Sequence, residues 1–218
     1  MKDVTEARRQ LEVIAAEVQQ CQRCDLHVGA HQAVPGAGNP QAEVMLVGEA
    51  PSAYDDRRGY PFSGPSGQFL DELLALAGLD RESVYLTNMV RHRVPDSREL
   101  LPGEIAACAD YLTRQIAAVD PLVIVALGRG ALARFLPNAK ISRVHGQVKV
   151  SGGRVIVAMY NPAAALHREE LRQTVVDDFA RALPAALMEA RRLAAEGKLG
   201  SSADIPPDDD HPQQMTLF

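Results

Sequence analysis

Val44–Met45–Leu46–Val47–Gly48–Glu49–Ala50–Pro51 is the stretch from which the fold is read. The first four residues are apolar throughout, without the polar alternation of a half-exposed strand. Such a run predicts a strand buried on both faces of a parallel sheet. Gly48–Glu49–Ala50–Pro51 then marks the junction from strand to loop. Working outward, the pattern recurs at Val84–Asn88, at Val123–Leu127 ahead of Gly128, and at Val155–Met159 ahead of Tyr160–Asn161–Pro162. Helical segments are predicted over residues 4–20, 67–77, 103–119, 131–136 and about 168–196. In the first, Leu11, Ile14, Ala15 and Val18 share a face; in the last, Pro184 is expected to kink or split the run. Strands separated by helices predict an α/β fold: a three-layer sandwich with a central four-stranded parallel sheet and helices on both faces. One domain is expected over residues 1–197, followed by a polar, Pro/Asp-rich tail over 198–218 expected to be disordered.

The net charge of −5 does not advertise a nucleic-acid binder, but the acid is concentrated: Asp204 to Asp210 carries four aspartates. Arg57–Arg58 and Arg91–His92–Arg93 leave room for a local basic patch. No 18-residue apolar run exists, and the charged N-terminus reads as a helix rather than a signal peptide. A cytoplasmic, nucleoid-associated monomer with no membrane contact is expected. In that compartment three cysteines read as metal ligands or free thiols rather than disulfides.

In an open parallel sheet, ligands gather beyond the strand C-termini. The loop from Gly48 to Gly67 starts there and presents Glu49, Asp55 and Asp56 beside Phe62. Carboxylates near an aromatic platform suit cleavage of a bond to a planar base: the ring stacks the base and a carboxylate orients water. A solvated acidic loop with a core phenylalanine is the plainer reading of the same residues.

The segment resembles the first motif of the family 4 uracil-DNA glycosylases, and the resemblance continues at Leu86–Thr–Asn88–Met–Val, Leu127–Gly128 and Tyr160–Asn–Pro–Ala–Ala–Ala–Leu166. It covers about residues 10–185 in order. It implies a monofunctional enzyme that flips uracil out of DNA, cuts its N-glycosidic bond and leaves an abasic site. It implies that Phe62 stacks on uracil and that Asn88 reads the base edge, within a substrate-binding set of Gly48, Ala50, Phe62, Asn88 and Asn161. Glu49, Asp55 and Asn161 are the implied catalytic positions, with Asp55 favoured for placing the water and Glu49 for shaping the pocket through its backbone. Two departures stand out. Ser52 replaces the usual glycine, and Asn161 replaces a histidine that would donate to uracil O2 as charge develops on the leaving base. Asparagine also donates, but is never cationic. Alternatives therefore stay open: another deaminated base (hypoxanthine or xanthine), or a low-activity DNA-binding protein. Asn161 as a mere cap of the following turn is the plain alternative.

Cys21-x-x-Cys24, His92 and Cys108 match the ligand spacing of the family's [4Fe–4S] cluster, with His92 where the family has cysteine. Imidazole ligation of iron–sulfur clusters is known. A Cys₃His zinc site is the alternative, and a DNA-facing His92 is another. The ligand set would tie the N-terminal part, about residues 10–40, to the loop after the second strand.

A related branch links covalently to DNA through a histidine in a basic insertion. The matching stretch here, Val94–Leu101, is short and lacks histidine, so covalent capture is not expected. Leu166–His167–Arg168 matches the intercalating loop, where a leucine wedge fills the gap left by a flipped base. His145 is expected to contact DNA or to serve structure. Gln214–Met–Thr–Leu–Phe218 resembles the sliding-clamp-binding peptide of bacterial repair proteins, with Leu217 and Phe218 as apolar anchors.

Overall fold

The four apolar runs form β2 (Val44–Gly48), β3 (Tyr85–Asn88), β4 (Val123–Leu127) and β6 (Arg154–Met159), parallel to one another in the order β3-β2-β4-β6. Short antiparallel strands extend both edges, β1 (Ala37–Gly38) on β3 and β5 (Val148–Ser151) on β6, so the sheet has six strands rather than four. The structure, a computed structural model, describes residues 3–200, and both Asp204–Asp210 and the Gln214–Phe218 peptide lie outside the described residues.

Side chains alternate across a strand, so each apolar run feeds two cores. Val44, Leu46, Leu86, Val123, Val125 and Val157 pack against α3 (Pro65–Leu76) and α8 (Glu169–Ala195), through Leu70, Leu73, Val175, Phe179 and Leu183. Met45, Val47, Tyr85, Ile124 and Ile156 face the other way, onto Leu112 and Ile116 of α4 (Pro102–Val119) and Leu132 and Phe135 of α5 (Arg129–Phe135). Fully burying one such leucine or isoleucine contributes about 1.5–3 kcal/mol. These two cores give the layered α/β arrangement.

α1 (Val4–Gln19) reaches the sheet core only through Leu11, among the described residues. It packs on α4, joining Ile14 and Val18 to Cys21, Ala33 and Tyr111 in a third, smaller cluster. α8 is not split: it runs from 169 to 195 through Pro184. Ala182, Leu183, Ala186 and Ala190 on either side are buried, and that packing carries the helix past one missing N–H. Short elements follow the strand ends: α2 (Ala53–Arg58), α6 (Ile141–Val144) and α7 (Pro162–His167). Among the described residues no helix is long and apolar enough to cross a membrane.

Candidate functional site

Two glycines at strand ends define the site by what they leave out. A Cβ on Gly48 would overlap Asn88 Oδ1 and come within 2.9 Å of Phe62 Cζ. Only glycine lets the amide and the ring meet there. Asn88 ends β3 in register with Gly48; it is buried, and its side-chain amide has no partner among the described residues. The main chain continues the ladder beyond the strands, with Met89 N donating to Gly48 O at 2.8 Å and Val90 N to Glu49 O at 3.2 Å. Asn88 is therefore held by a rigid edge while its amide stays available. Ala50 follows, half-buried, on the same turn.

Phe62 is 6% exposed and sits at φ 53°, a left-handed conformation that costs a non-glycine residue about 1–2 kcal/mol. Arg81 holds it there. Its Nη2 donates to Phe62 O at 2.9 Å and Gly67 O at 3.3 Å, and its Nη1 donates to Pro61 O at 3.3 Å. Asp71 orients the guanidinium, accepting from Nε at 2.9 Å. Arg81 was not among the sequence candidates, since nothing in its neighbourhood signals a bond reaching 19 residues back.

The second glycine, Gly128, follows β4 at φ +97°. A Cβ there would lie 2.5 Å from Glu49 Oε1 and 3.7 Å from Asn161 Cβ, so both side chains converge on its bare face. Glu49 Oε1 accepts from Gly130 N at 2.7 Å, leaving Oε2 uncommitted. Asn161 caps α7: its Oδ1 accepts from Ala163 N at 3.0 Å. That bond fixes the amide, because the capping atom must be the acceptor. Nδ2 is left as the group that Asn161 presents, and it is a donor.

Asp55 lies in α2, beside the loop that carries Phe62. Its buried carboxylate accepts from Ser52 N (2.9 Å), Ser63 N (2.7 Å) and Ser63 Oγ (2.9 Å). With Ser52 Oγ accepting from Asp55 N at 3.2 Å, it forms a capping box at the start of α2. Asp55 is thus occupied as a clamp on the Phe62 loop, and it is the carboxylate of Glu49 that turns to the strand ends. Asp56, also buried, receives His31 N at 2.9 Å and anchors the 31–32 turn.

Around α4 the three cysteines are free thiols, Cys21 and Cys108 buried and Cys24 half-buried. Burial pushes the Cys24 and Cys108 thiols up, against the opposing pull of the Leu26 amide on Cys24 and of Arg91 on Cys108. His92 is 5% exposed, and its Nδ1 is buried without a partner. Burial, with a smaller push from His27, holds it below the usual imidazole range, so a neutral, ligand-ready ring is favoured. Soft sulfurs with one imidazole fit an iron–sulfur or zinc centre. Among the described residues no group of three or more His, Cys, Asp or Glu is placed to hold a metal ion, so the metal reading rests on donor chemistry rather than on a formed coordination shell.

Toward solvent, Leu166 is 42% exposed at the end of α7, and His167 and Arg168 beside it are exposed. His145 is half-buried, with Nδ1 2.8 Å from Asp178 Oδ2 and its ring 5.0 Å from that of Tyr160. Arg57 and Arg58 are exposed, but Arg91 is fully buried and adds nothing to a basic surface patch.

A parallel sheet that gathers an aromatic ring, two amides and a carboxylate at its strand ends defines a base-handling α/β protein. The model of the uracil DNA glycosylase superfamily matches residues 35–184, and the chain belongs to that superfamily. The chain is 45% identical to a type-4 uracil-DNA glycosylase of Archaeoglobus fulgidus, covering 78% of this chain and 89% of that protein. It is 37% identical to a type-4 uracil-DNA glycosylase of Saccharolobus solfataricus, with 89% and 94% covered. A type-5 uracil-DNA glycosylase of Thermus thermophilus is 34% identical, with 74% and 80% covered. Within the superfamily, the chain belongs to the type-4 family.

Proposed function

We propose that this protein is a DNA-repair glycosylase that hydrolyses the N-glycosidic bond of uracil in DNA and leaves an abasic site. The observation that carries this reading is the meeting of Phe62, Asn88 and the bare Gly48, a ring and an uncommitted amide where a flipped base would lie. Phe62 stacks the base. Asn88 accepts from uracil N3–H through Oδ1 and donates to O4 through Nδ2. Cytosine offers the opposite pattern at both atoms and is refused.

Cleavage separates a sugar gaining positive charge from a base gaining negative charge. Asn161 Nδ2 donates to O2 as that negative charge grows, and a preorganised donor of this kind is worth about 10²–10³ in rate. Glu49 Oε2 orients the attacking water and faces the developing oxocarbenium, held by its bond to Gly130 N. Asp55 acts at one remove, fixing the loop that carries Phe62. Leu166 fills the gap left by the flipped base, with His167, Arg168 and His145 toward the DNA backbone.

Cys21, Cys24, Cys108 and His92 hold a [4Fe–4S] cluster, supported by three free thiols and the unpartnered His92 Nδ1. The cluster supplies a structural cross-link between the N-terminal segment and the loop after β3. Gln214–Phe218 serves as a sliding-clamp ligand, and the reaction takes place in the cytoplasm beside the chromosome.

Purified protein is assayed on uracil-containing single- and double-stranded oligonucleotides. Alkali-labile strand cleavage at uracil is the expected result. No cleavage at uracil, with cleavage at hypoxanthine or xanthine, would move the specificity to another deaminated base. No cleavage at any of them would leave a DNA-binding protein.

A further inference from the structure

Exposed aromatic rings gather in one place. Of the tyrosines and phenylalanines among the described residues, only Tyr54 and Tyr60 are exposed, at 44% and 64%. Both lie on the stretch that runs from α2 to Phe62, and Arg57 and Arg58 are exposed between them. A lone surface ring calls for no explanation, but rings interleaved with cations are the composition of a nucleic-acid-binding surface. These cations also lack an acid to answer. Arg9, Arg114, Arg191 and Arg192 each pair with a surface carboxylate. Among the described residues, neither Arg57 nor Arg58 does. The two acids of α2, Asp55 and Asp56, are buried and already bonded to donors of Ser52, Ser63 and His31.

The four side chains are not equivalent. Arg58 is committed, its Nη1 donating to Ser63 O at 2.5 Å. Tyr54 lies against the bare face of Gly64, where a Cβ would come within 2.6 Å of its ring. Arg57 is seated over that same ring, its guanidinium carbon 5.2 Å from the centroid. A guanidinium so placed is held by the electron-rich face and can still donate to an anion. Gln32 steadies the residue from below the side chain, with Nε2 donating to Arg57 O at 2.8 Å. Tyr60 differs from the other three: among the described residues its side chain makes no hydrogen bond and no ring contact. Its backbone is nevertheless fixed on both sides. Gly59 closes α2 at φ 75° and donates to Asp55 O at 2.7 Å, and the carbonyl of Pro61 accepts from Arg81 at 3.3 Å. A free ring on a set backbone offers a stacking face at little cost in ordering.

We infer that Tyr60 is a stacking platform for an unpaired base of the DNA strand flanking the base held on Phe62, and that Arg57 receives a phosphate of that strand. Two residues of chain span at most about 7 Å, so Tyr60 stands close to Phe62. That is about two steps of a stacked strand at ~3.4 Å each, and a strand that delivers a base to Phe62 brings its neighbours within range. In a duplex those neighbours are paired and stacked on one another; in a single strand they are free to stack on a protein ring. The surface therefore favours uracil in single-stranded DNA. The inference deepens the glycosylase reading and rests on it for the role of Phe62, and binding of uracil-free DNA separates the two.

Full-length wild type, Tyr60→Ala, Tyr60→Phe and Arg57→Gln are compared, with Arg8→Gln on α1 as a control for lost charge. Binding of a labelled, uracil-free single-stranded oligonucleotide and of its duplex is followed by fluorescence anisotropy across a salt series. Uracil excision from both forms is measured beside it. Tyr60→Ala should weaken single-strand binding about 5- to 150-fold and duplex binding far less. Tyr60→Phe should bind as wild type does, because the ring and not the hydroxyl stacks. Arg57→Gln should lower the salt slope of single-strand binding by about 0.7, the share of one phosphate, and Arg8→Gln should leave it unchanged. Wild-type single-strand binding by Tyr60→Ala, or equal losses on single strand and duplex, overturns the platform, and uracil excision by the wild type then leaves the glycosylase reading standing. An unaltered slope in Arg57→Gln overturns the phosphate contact. Wild-type protein that excises no uracil, while Tyr60→Ala still loses single-strand binding, overturns the glycosylase reading and keeps the platform.

Discussion

The base pocket and the cysteine side of the molecule are built on opposite plans. At the pocket, every support is internal. Arg81 and Asp55 fix the Phe62 loop, the strand ladder fixes Asn88, and Gly130 fixes Glu49, so the reading groups are preorganised while their working atoms stay open. On the cysteine side, among the described residues, Nε and Nη2 of Arg91 and Nδ1 of His92 are buried without a hydrogen-bond partner. The pocket is complete as folded chain, whereas the cysteine side is where the proposed cluster would sit. Stability should therefore depend on the cysteine side and turnover on the pocket.

The contrast is tested hardest by removing the metal. Extracting iron, or Cys108→Ser, is expected to cost about 4 kcal/mol or more, as for any tightly held group that binds only the folded state. The chain has no tryptophan, so melting is followed by circular dichroism. An unchanged melting curve would break the comparison on that side. Asn88→Ala is the counterpart at the pocket: kcat/KM on uracil should fall about 10²–10³-fold, with melting shifted by less than the metal loss shifts it. A variant equally slow and equally unstable would show that Asn88 is structural.

Asn161→His sits between these extremes and should move the two properties in opposite directions. A histidine restores a donor able to carry positive charge, and a gain of about tenfold in single-turnover rate is expected. It also removes the Oδ1 cap on Ala163 N, at a cost of about 1 kcal/mol. A rise in both, or in neither, would mean that the asparagine's cap and its donor are not separate functions.

The smallest effect concerns Glu104, which opens α4, the helix that carries Cys108. Arg98 beside it, and then the amide of Leu101, hold its carboxyl below the usual carboxylate range in spite of burial. A depressed value stabilises the fold above the ordinary carboxylate range, and that contribution is lost as pH falls through the folded-state value. Glu104→Gln should cost about 1 kcal/mol at neutral pH, since Arg98 is 40% exposed and the pair is screened. The difference from wild type should shrink in acid; a constant difference would assign the loss to packing.

How much of this was legible in the sequence follows element length and the range of each contact. The runs at 44–47 and 123–127 declare themselves because four or five uninterrupted apolar residues have no other stable home. β1, with two residues, and α6, with four, are too short to show any period, and they exist because a neighbouring edge or loop holds them. Gly48, Phe62 and Asn88 were named from the resemblance to the family's motifs, and the structure brings them together. The bonds of Asp55 were not legible, because a carboxylate in a loop gives no sign that Ser52 and Ser63 will use both its oxygens. Arg81 and the burial of Arg91 were invisible for the same reason: tertiary packing, not local pattern, decides whether an arginine is solvated, clamping or enclosed.

Phe62 in its left-handed backbone carries a last consequence, one for protein engineering. Glycine at that position would relieve about 1–2 kcal/mol of strain but remove a buried ring from the sheet core, at a cost of about 3–5 kcal/mol. A library of this enzyme ranked on heat resistance alone would thus keep Phe62 and its left-handed backbone. The strain persists because packing outweighs it, so at this position thermal tolerance and activity point to the same residue.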